Sequence, residues 1–263
     1  MASSPLHALR EQVRTLTARS HVPFSKRPEA AAALLRDGTW VPGVRVESAS
    51  FSLTIPATLN LITTLIAYER LNDLVALTVN QTLSDADRQF LGGLAAPPTG
   101  VSAEDTALWT EDPDSLPMPA DPLDPDWSAP IGTPEQGVQR ARSISDRAYI
   151  PESHFPVGAV LVTTDDVHIP GVNVEHEDWM RTLCAERNAL GTAYSYGMHD
   201  FAAMYLSCPL DDAGTPCGAC RQLLVELAPD IQLWMDRDSN APERQSPRDL
   251  LPGSFEGKAL LRS

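Results

Sequence analysis

Lysine is nearly missing from this 263-residue chain: Lys26 and Lys258 are its only two, and arginine makes up the rest of 20 basic residues. Against them stand 35 acidic residues, for a net charge of −15 at pH 7. Such a surface lacks the basic stripe on which affinity for a polyanion depends, so no nucleic-acid partner is expected. Cysteine is also scarce. The four present, Cys184, Cys208, Cys217 and Cys220, are too few and too clustered for a disulfide framework, which points to a reducing compartment. No uninterrupted apolar run approaches the ~20 residues needed to cross a bilayer. The start, Met1-Ala-Ser-Ser-Pro-Leu-His7, lacks the basic opening and apolar core of a signal peptide. A soluble cytoplasmic protein with no membrane partner is the expectation. The apolar fraction of 43% suffices for packed cores, in one large domain or two small ones.

What the chain does have is an internal repeat. Residues 20–60 align without a gap onto residues 148–188 at an offset of 128. Pro42-Gly-Val-Arg-Val-Glu47 falls on Pro170-Gly-Val-Asn-Val-Glu175, and Thr54-Ile-Pro-Ala-Thr-Leu-Asn60 on Thr182-Leu-Cys-Ala-Glu-Arg-Asn188. A second block, at an offset of 133, sets Ser84-Asp-Ala-Asp-Arg-Gln89 on Cys217-Gly-Ala-Cys-Arg-Gln222. Each copy opens with an amphipathic helix, Leu6 to Leu16 in the first, followed by short apolar strands such as 158–163 and 167–172. Strands alternating with helices predict a layered α/β domain around a central sheet. We expect a first domain over 1–96, a second over 138–263, and a proline-rich acidic strap over 97–137. Nine prolines between Pro97 and Pro134 argue against regular helix or central strand there, while Trp109, Met118 and Trp127 suggest an extended segment pinned by bulky side chains.

The chemistry concentrates in the second copy. Cys217 and Cys220 are three apart, on one face of a helical turn. Cys184 and Glu186 are two apart, so both can face one point only if Cys184 caps a helix and Glu186 lies in its first turn. Thiols at helix N-termini meet the positive ends of the helix dipoles, which favours thiolate and metal binding. Three thiolates with no fourth ligand describe a catalytic zinc site with a position left for water, beside a carboxylate that moves protons. Cys208, in the apolar run Met204-Tyr-Leu-Ser-Cys208, reads as a core residue rather than a fourth ligand. None of His154, His168, His176 and His199 has ligand spacing to the thiols, and each reads as a surface or loop residue. The first copy holds Pro56, Thr58, Ser84 and Asp87 at the corresponding positions, so it is expected to be non-catalytic.

Cys-Ala-Glu-Arg followed by Pro-Cys-Gly-Ala-Cys-Arg-Gln resembles the cytidine deaminase family, in its three-cysteine branch. The resemblance implies two tandem three-layer α/β/α domains, each with a mixed central sheet, and one zinc ion per chain, in the C-terminal domain, held by Cys184, Cys217 and Cys220. It implies Glu186 as the proton shuttle and zinc-dependent hydrolytic deamination of cytidine or 2′-deoxycytidine, a step of pyrimidine salvage. Phe155 would lie against the pyrimidine, Asn173 and Glu175 on the ribose hydroxyl, and the Ala185 backbone on the pyrimidine edge. Arg187 would withdraw charge from the zinc thiolates. Phe255 matches a phenylalanine that reaches into a neighbouring subunit's pocket. Where the family carries Asn-Val-Glu-Asn-Ala-Ser, the second copy has Asn173-Val-Glu-His-Glu-Asp178, whereas the first keeps Ser48-Ala-Ser-Phe51. Ala49 and Phe51 are therefore candidates for a loop donated to the working site. Two tandem copies suggest a homodimer imitating a tetramer of single domains. Deamination of a related aminopyrimidine, and a zinc-stabilised binding protein without activity, are the competing readings.

Overall fold

The structure is a computed structural model describing residues 4–94, 97–102, 104, 106–127, 130–237, 240–255 and 257–261. The first three residues of the start read above, and the residues at the expected boundary of 96, lie outside the described residues.

Helix α1 (Pro5–Leu16) starts where the Ser4 hydroxyl accepts from the His7 N–H, and it buries Leu9, Val13 and Leu16 along one stripe. After it come β1 (Ala30–Leu35), β2 (Trp40–Val44), α2 (Ala57–Ala67), β3 (Leu74–Val79), α3 (Asp85–Gly92), β4 (Gly100–Val101) and β5 (Ala107–Trp109). The second half runs α4 (Pro134–Ile144), β6 (Gly158–Thr163), β7 (His168–Val172), α5 (Ala185–Ser195), β8 (Phe201–Ser207), α6 (Gly218–Leu227), β9 (Gln232–Arg237) and β10 (Asn240–Gln245). All six residues of β1, and all six of β6, are buried because both sheet faces are covered, which is why these strands read as unbroken apolar runs. On β6, Val160 and Val162 pack with α4, while Ala159 and Leu161 pack with α5 and α6. Period-two alternation thus yields helix, sheet and helix layers.

The sheets are ordered β2-β1-β3-β5-β4 and β10-β9-β8-β6-β7. The second is mixed, as expected: β8 pairs with β9 in parallel because α6 forms a crossover between them. The first is not. All four of its pairings are antiparallel, because the chain leaving α3 forms the edge strand β4 and then turns back as β5 beside β3. The expectation that 97–137 holds no central strand also fails at this point. Its prolines stand at 97–98 and from 113 onward, and the proline-free interval between them completes the first sheet.

From Leu116 to Trp127 the chain is an extended strap, and α4 already begins at Pro134, inside the expected strap. Ala120 N donates to Gly38 O and Leu123 N to Trp40 O, both at 2.8 Å, and Trp127 N donates to His168 O at 3.0 Å. Trp127 is half-buried beneath the Arg147 guanidinium, whereas Met118 is exposed and pins nothing. His168, expected on the surface or in a loop, is buried at the start of β7 with Asp126 Oδ1 3.3 Å from its Nδ1, because the strap covers that edge.

The halves meet through reciprocal contacts between residues 128 apart in the sequence. Thr64 and Thr192, separated by the repeat offset of 128, share a hydroxyl hydrogen bond of 2.7 Å at the crossing of α2 and α5. Arg19 donates to Ser195 O at 3.0 Å, and Arg147, its counterpart, to Ala67 O at 2.8 Å. Fully buried Asn60 donates to Val44 O and Gly191 O, both at 2.9 Å. Gly43 and Gly171 seat these helices: a Cβ on Gly43 would lie 2.6 Å from Ala57 O, and one on Gly171 would lie 2.2 Å from Ala185 O. Gly171→Ala should therefore push α5 off its strand, costing ~1–3 kcal/mol as overpacking does. Thermal melts of wild type and variant check this; an unchanged melting temperature would show that the helix has room.

Candidate metal centre and active site

Cys184 is the N-cap of α5 and Cys217 the N-cap of α6, each with extended backbone (φ −74°, ψ 159° and φ −65°, ψ 169°). Cys220 follows in the first turn of α6 and is buried. Two helix N-termini therefore present three thiols to one point. Cys184 Sγ lies 3.7 Å from Cys217 Sγ, which lies 3.6 Å from Cys220 Sγ, and the three are within 4.8 Å of one another. Tetrahedral zinc with Zn–S bonds of ~2.3 Å holds its sulfurs about 3.8 Å apart, so the triad fits the ion. Hydrogen bonds from the other two thiols lower the pKa of Cys217, while those of Cys184 and Cys220 are raised, as expected of a cluster that concentrates its first negative charge on one sulfur. Cys208 stands just past the end of β8, outside the triad, its thiol pushed up to about 12 by burial.

Glu186 is in the first turn of α5 and only 3% exposed. Burial pushes its carboxyl up to about 7, and the neighbouring Cys217 adds to the shift. Arg187 donates from its NH2 to Leu53 O at 3.0 Å, while its buried Nε has no partner among the described residues. An orphaned guanidinium donor next in sequence to Glu186 suits a cluster meant to carry anionic sulfur.

The residues expected on the sugar have partners inside the chain. Asn173 Oδ1 accepts from Val157 N at 2.8 Å and its Nδ2 donates to Phe155 O at 2.9 Å, so it fixes the backbone on which half-buried Phe155 sits. Glu175 Oε2 accepts from Glu152 N and Ser153 N, both at 3.0 Å. Glu47 does the same for Phe24 N and Ser25 N at 3.1 and 3.0 Å, in the repeat-related positions. Burial alone would raise both carboxyls, but the hydrogen bonds from Ser153 and Ser25 and their neighbouring backbone outweigh it and leave both pKa values lowered. A folded-state pKa below the unfolded one contributes stability that is present above the ordinary value of 4.5 and lost as pH falls through the lowered value. Replacing both by glutamine should make the melting temperature depend less steeply on pH between 4.5 and the lowered value; an identical pH profile would remove the attribution.

The first half also contacts the far end of the helix that carries Cys217 and Cys220. Ser48 Oγ donates to Glu226 Oε1 at 2.9 Å and Ala49 N to Glu226 Oε2 at 2.8 Å. Gln222 on the same helix donates to Phe255 O at 2.7 Å and also contacts Glu226. Loop 48–53, helix α6 and the C-terminal segment thus meet at Glu226, a residue the sequence motifs did not single out because its role depends on the other half. Ala49 is buried, while Phe51 and Phe255 are 87% and 52% exposed. Ala185 is fully buried at the first position of α5. In the first half, Pro56 caps α2 without a side-chain bond, and Ser84 and Asp87 form a capping box where the second half has Cys217 and Cys220. Among the described residues, no other group of three possible ligands lies together.

A family profile described as the cytidine and deoxycytidylate deaminase zinc-binding region matches residues 132–234. The chain is 37% identical over 124 residues to the cytidine deaminase of Halalkalibacterium halodurans, covering 47% of this chain and 94% of that one. It is 36% identical over 128 residues to a probable cytidine deaminase of Dictyostelium discoideum, covering 48% and 86%. The crystal structure of cytidine deaminase from Burkholderia pseudomallei is similar with a TM-score of 0.45 at 36% identity, over 47% of this chain and 99% of that one. With its α/β fold and three-thiol site, the chain belongs to the cytidine deaminase family.

Proposed function

We propose that the chain catalyses hydrolytic deamination of cytidine and 2′-deoxycytidine to uridine and 2′-deoxyuridine, releasing ammonia. The observation that carries this is a buried carboxyl group, Glu186, in the first turn of the helix capped by Cys184, beside a three-thiol cluster at converging helix N-termini. Zinc bound by Cys184, Cys217 and Cys220 would acidify a water toward a pKa of ~7 and so supply the nucleophile. Glu186 would take a proton from the attacking water, give one to ring N3, and then assist the departing amine. Asn173 holds Phe155 against the pyrimidine, the Ala185 backbone meets the ring edge, and Glu175 meets the sugar hydroxyl. Arg187 tempers the sulfur charge. Ammonia release measured with cytidine, 2′-deoxycytidine, cytosine and single-stranded DNA tests the assignment. Turnover of the two nucleosides alone is expected, and release from none of them would overturn it.

We read the two halves as a tandem duplication, the first spanning 1–96 and extended by β4 and β5, the second 138–263 and carrying the zinc. The repeat offset and the reciprocal Thr64–Thr192 and Arg19–Arg147 contacts support this. The same symmetry supports a homodimer as the working form, which we place in the cytoplasm. Leu53 O on Arg187, with Ser48 and Ala49 on Glu226, ties the loop in cis to both thiol-bearing helices, and leaves Phe51, 87% exposed, to be donated to the other chain of the homodimer. Phe51→Ala and Glu226→Ala should each raise KM several-fold while kcat and zinc content hold; wild-type kinetics in both would sink the loop's role.

A further inference from the structure

We infer that the first half retains a second small-molecule site, a cavity of about 270 Å³ at the N-termini of α2 and α3, which binds a neutral pyrimidine nucleoside without turning it over. The choice of nucleoside rests on the function proposed above; the existence of the site does not. The cavity is lined by Ala57 and by Pro56, Thr58, Ser84 and Asp87, the four positions that in the second half hold the thiols and Glu186. Its volume is close to the ~300 Å³ at which small-molecule pockets begin.

Two independent features mark it as a ligand site. Helix α2 has no side-chain cap, so the first backbone N–H groups of the helix are left without an intrachain acceptor at the cavity wall. Thr58, in place of the catalytic glutamate, is 5% exposed and lines the cavity, and its hydroxyl has no hydrogen-bond partner among the described residues. An unpartnered hydroxyl and helix-end amides facing the same cavity suit a ligand bearing both acceptors and donors.

The charges choose the class. Arg45 is paired with Glu29 and Glu47, and Arg181, reaching in from the second half, lies 3.4 Å from Asp87. Opposite charges on the walls are matched within the protein, so an ionic ligand finds no free counter-charge. Val79, Leu83 and Ala30 provide apolar contact, and the amide of Gln81 and hydroxyl of Thr82 stand at the rim. A neutral heterocycle carrying a sugar satisfies all of these. Arg181 ends the 3₁₀ turn Trp179–Arg181, three residues before Cys184, so occupancy of this cavity touches the segment leading into the metal site.

Calorimetric titration of the full-length Glu186→Gln protein with uridine should give two binding events per chain. Cys217→Ser should remove one and leave the other. Thr58→Leu, which fills the cavity, should remove the event that Cys217→Ser leaves; Thr82→Tyr at the exposed rim does the same without altering the core. Uridine 5′-monophosphate should bind the remaining site at least tenfold more weakly. A single event lost entirely in Cys217→Ser overturns the second site, as does its survival in both Thr58→Leu and Thr82→Tyr. Equal or tighter binding of the monophosphate overturns the neutral ligand. Failure of the proposed activity is read separately, from the ammonia assay on wild-type protein.

Discussion

Glu186→Gln should reduce kcat for cytidine by at least ~100-fold and by up to ~10,000-fold, the range lost when a positioned acid–base group is removed. Zinc content should stay at the wild-type level. The side chain sits in the first turn of α5, where its carboxylate is not a member of the thiol triad, so the amide replaces it without touching a ligand. It is nearly isosteric in a fully packed position, so misfolding is not the expected cause of the loss. Glutamine accepts and donates hydrogen bonds but cannot take up and return a proton. Steady-state ammonia release together with metal analysis on the same sample checks this. Activity within tenfold of wild type would contradict the proton-transfer role.

Zinc removal should affect stability as strongly as activity. A ligand that binds only the folded state stabilises by RT ln(1 + [L]/Kd), which is about 4 kcal/mol at a thousandfold excess over Kd. For a chain of this size that is roughly a 10 °C change in melting temperature. The effect should be large here because the triad joins the N-termini of α5 and α6, elements otherwise connected through β8 and its following loop. Melting with and without a strong chelator, and again after zinc is restored, separates metal loss from damage. A melting temperature indifferent to chelation would mean that the thiols are not bridged.

The sequence made the centre legible because its requirements are local. A cap position and a first-turn position on each of two helices are fixed by spacing of two and three, and the structure puts Cys184, Glu186, Cys217 and Cys220 there. The strand and helix order of the second half was readable for the same reason, since apolar runs bounded by turns translate directly into covered strands. What escaped depends on distant partners. That β5 slots beside β3 is decided by competition for a sheet edge rather than by residues 107–109 themselves. His168 is buried because a strap forty residues earlier lies over it. Glu226 takes its role from Ser48 and Ala49, nearly 180 residues away. Asn173 and Glu175 were found by motif, but their bonds to the Phe155 and Ser153 backbone became visible only in three dimensions.

The most direct test is a zinc count on purified full-length protein by elemental analysis, in wild type and in Cys217→Ser. The account predicts one equivalent per chain in the first and a loss of bound zinc in the second. Two equivalents per chain, or none, would contradict it.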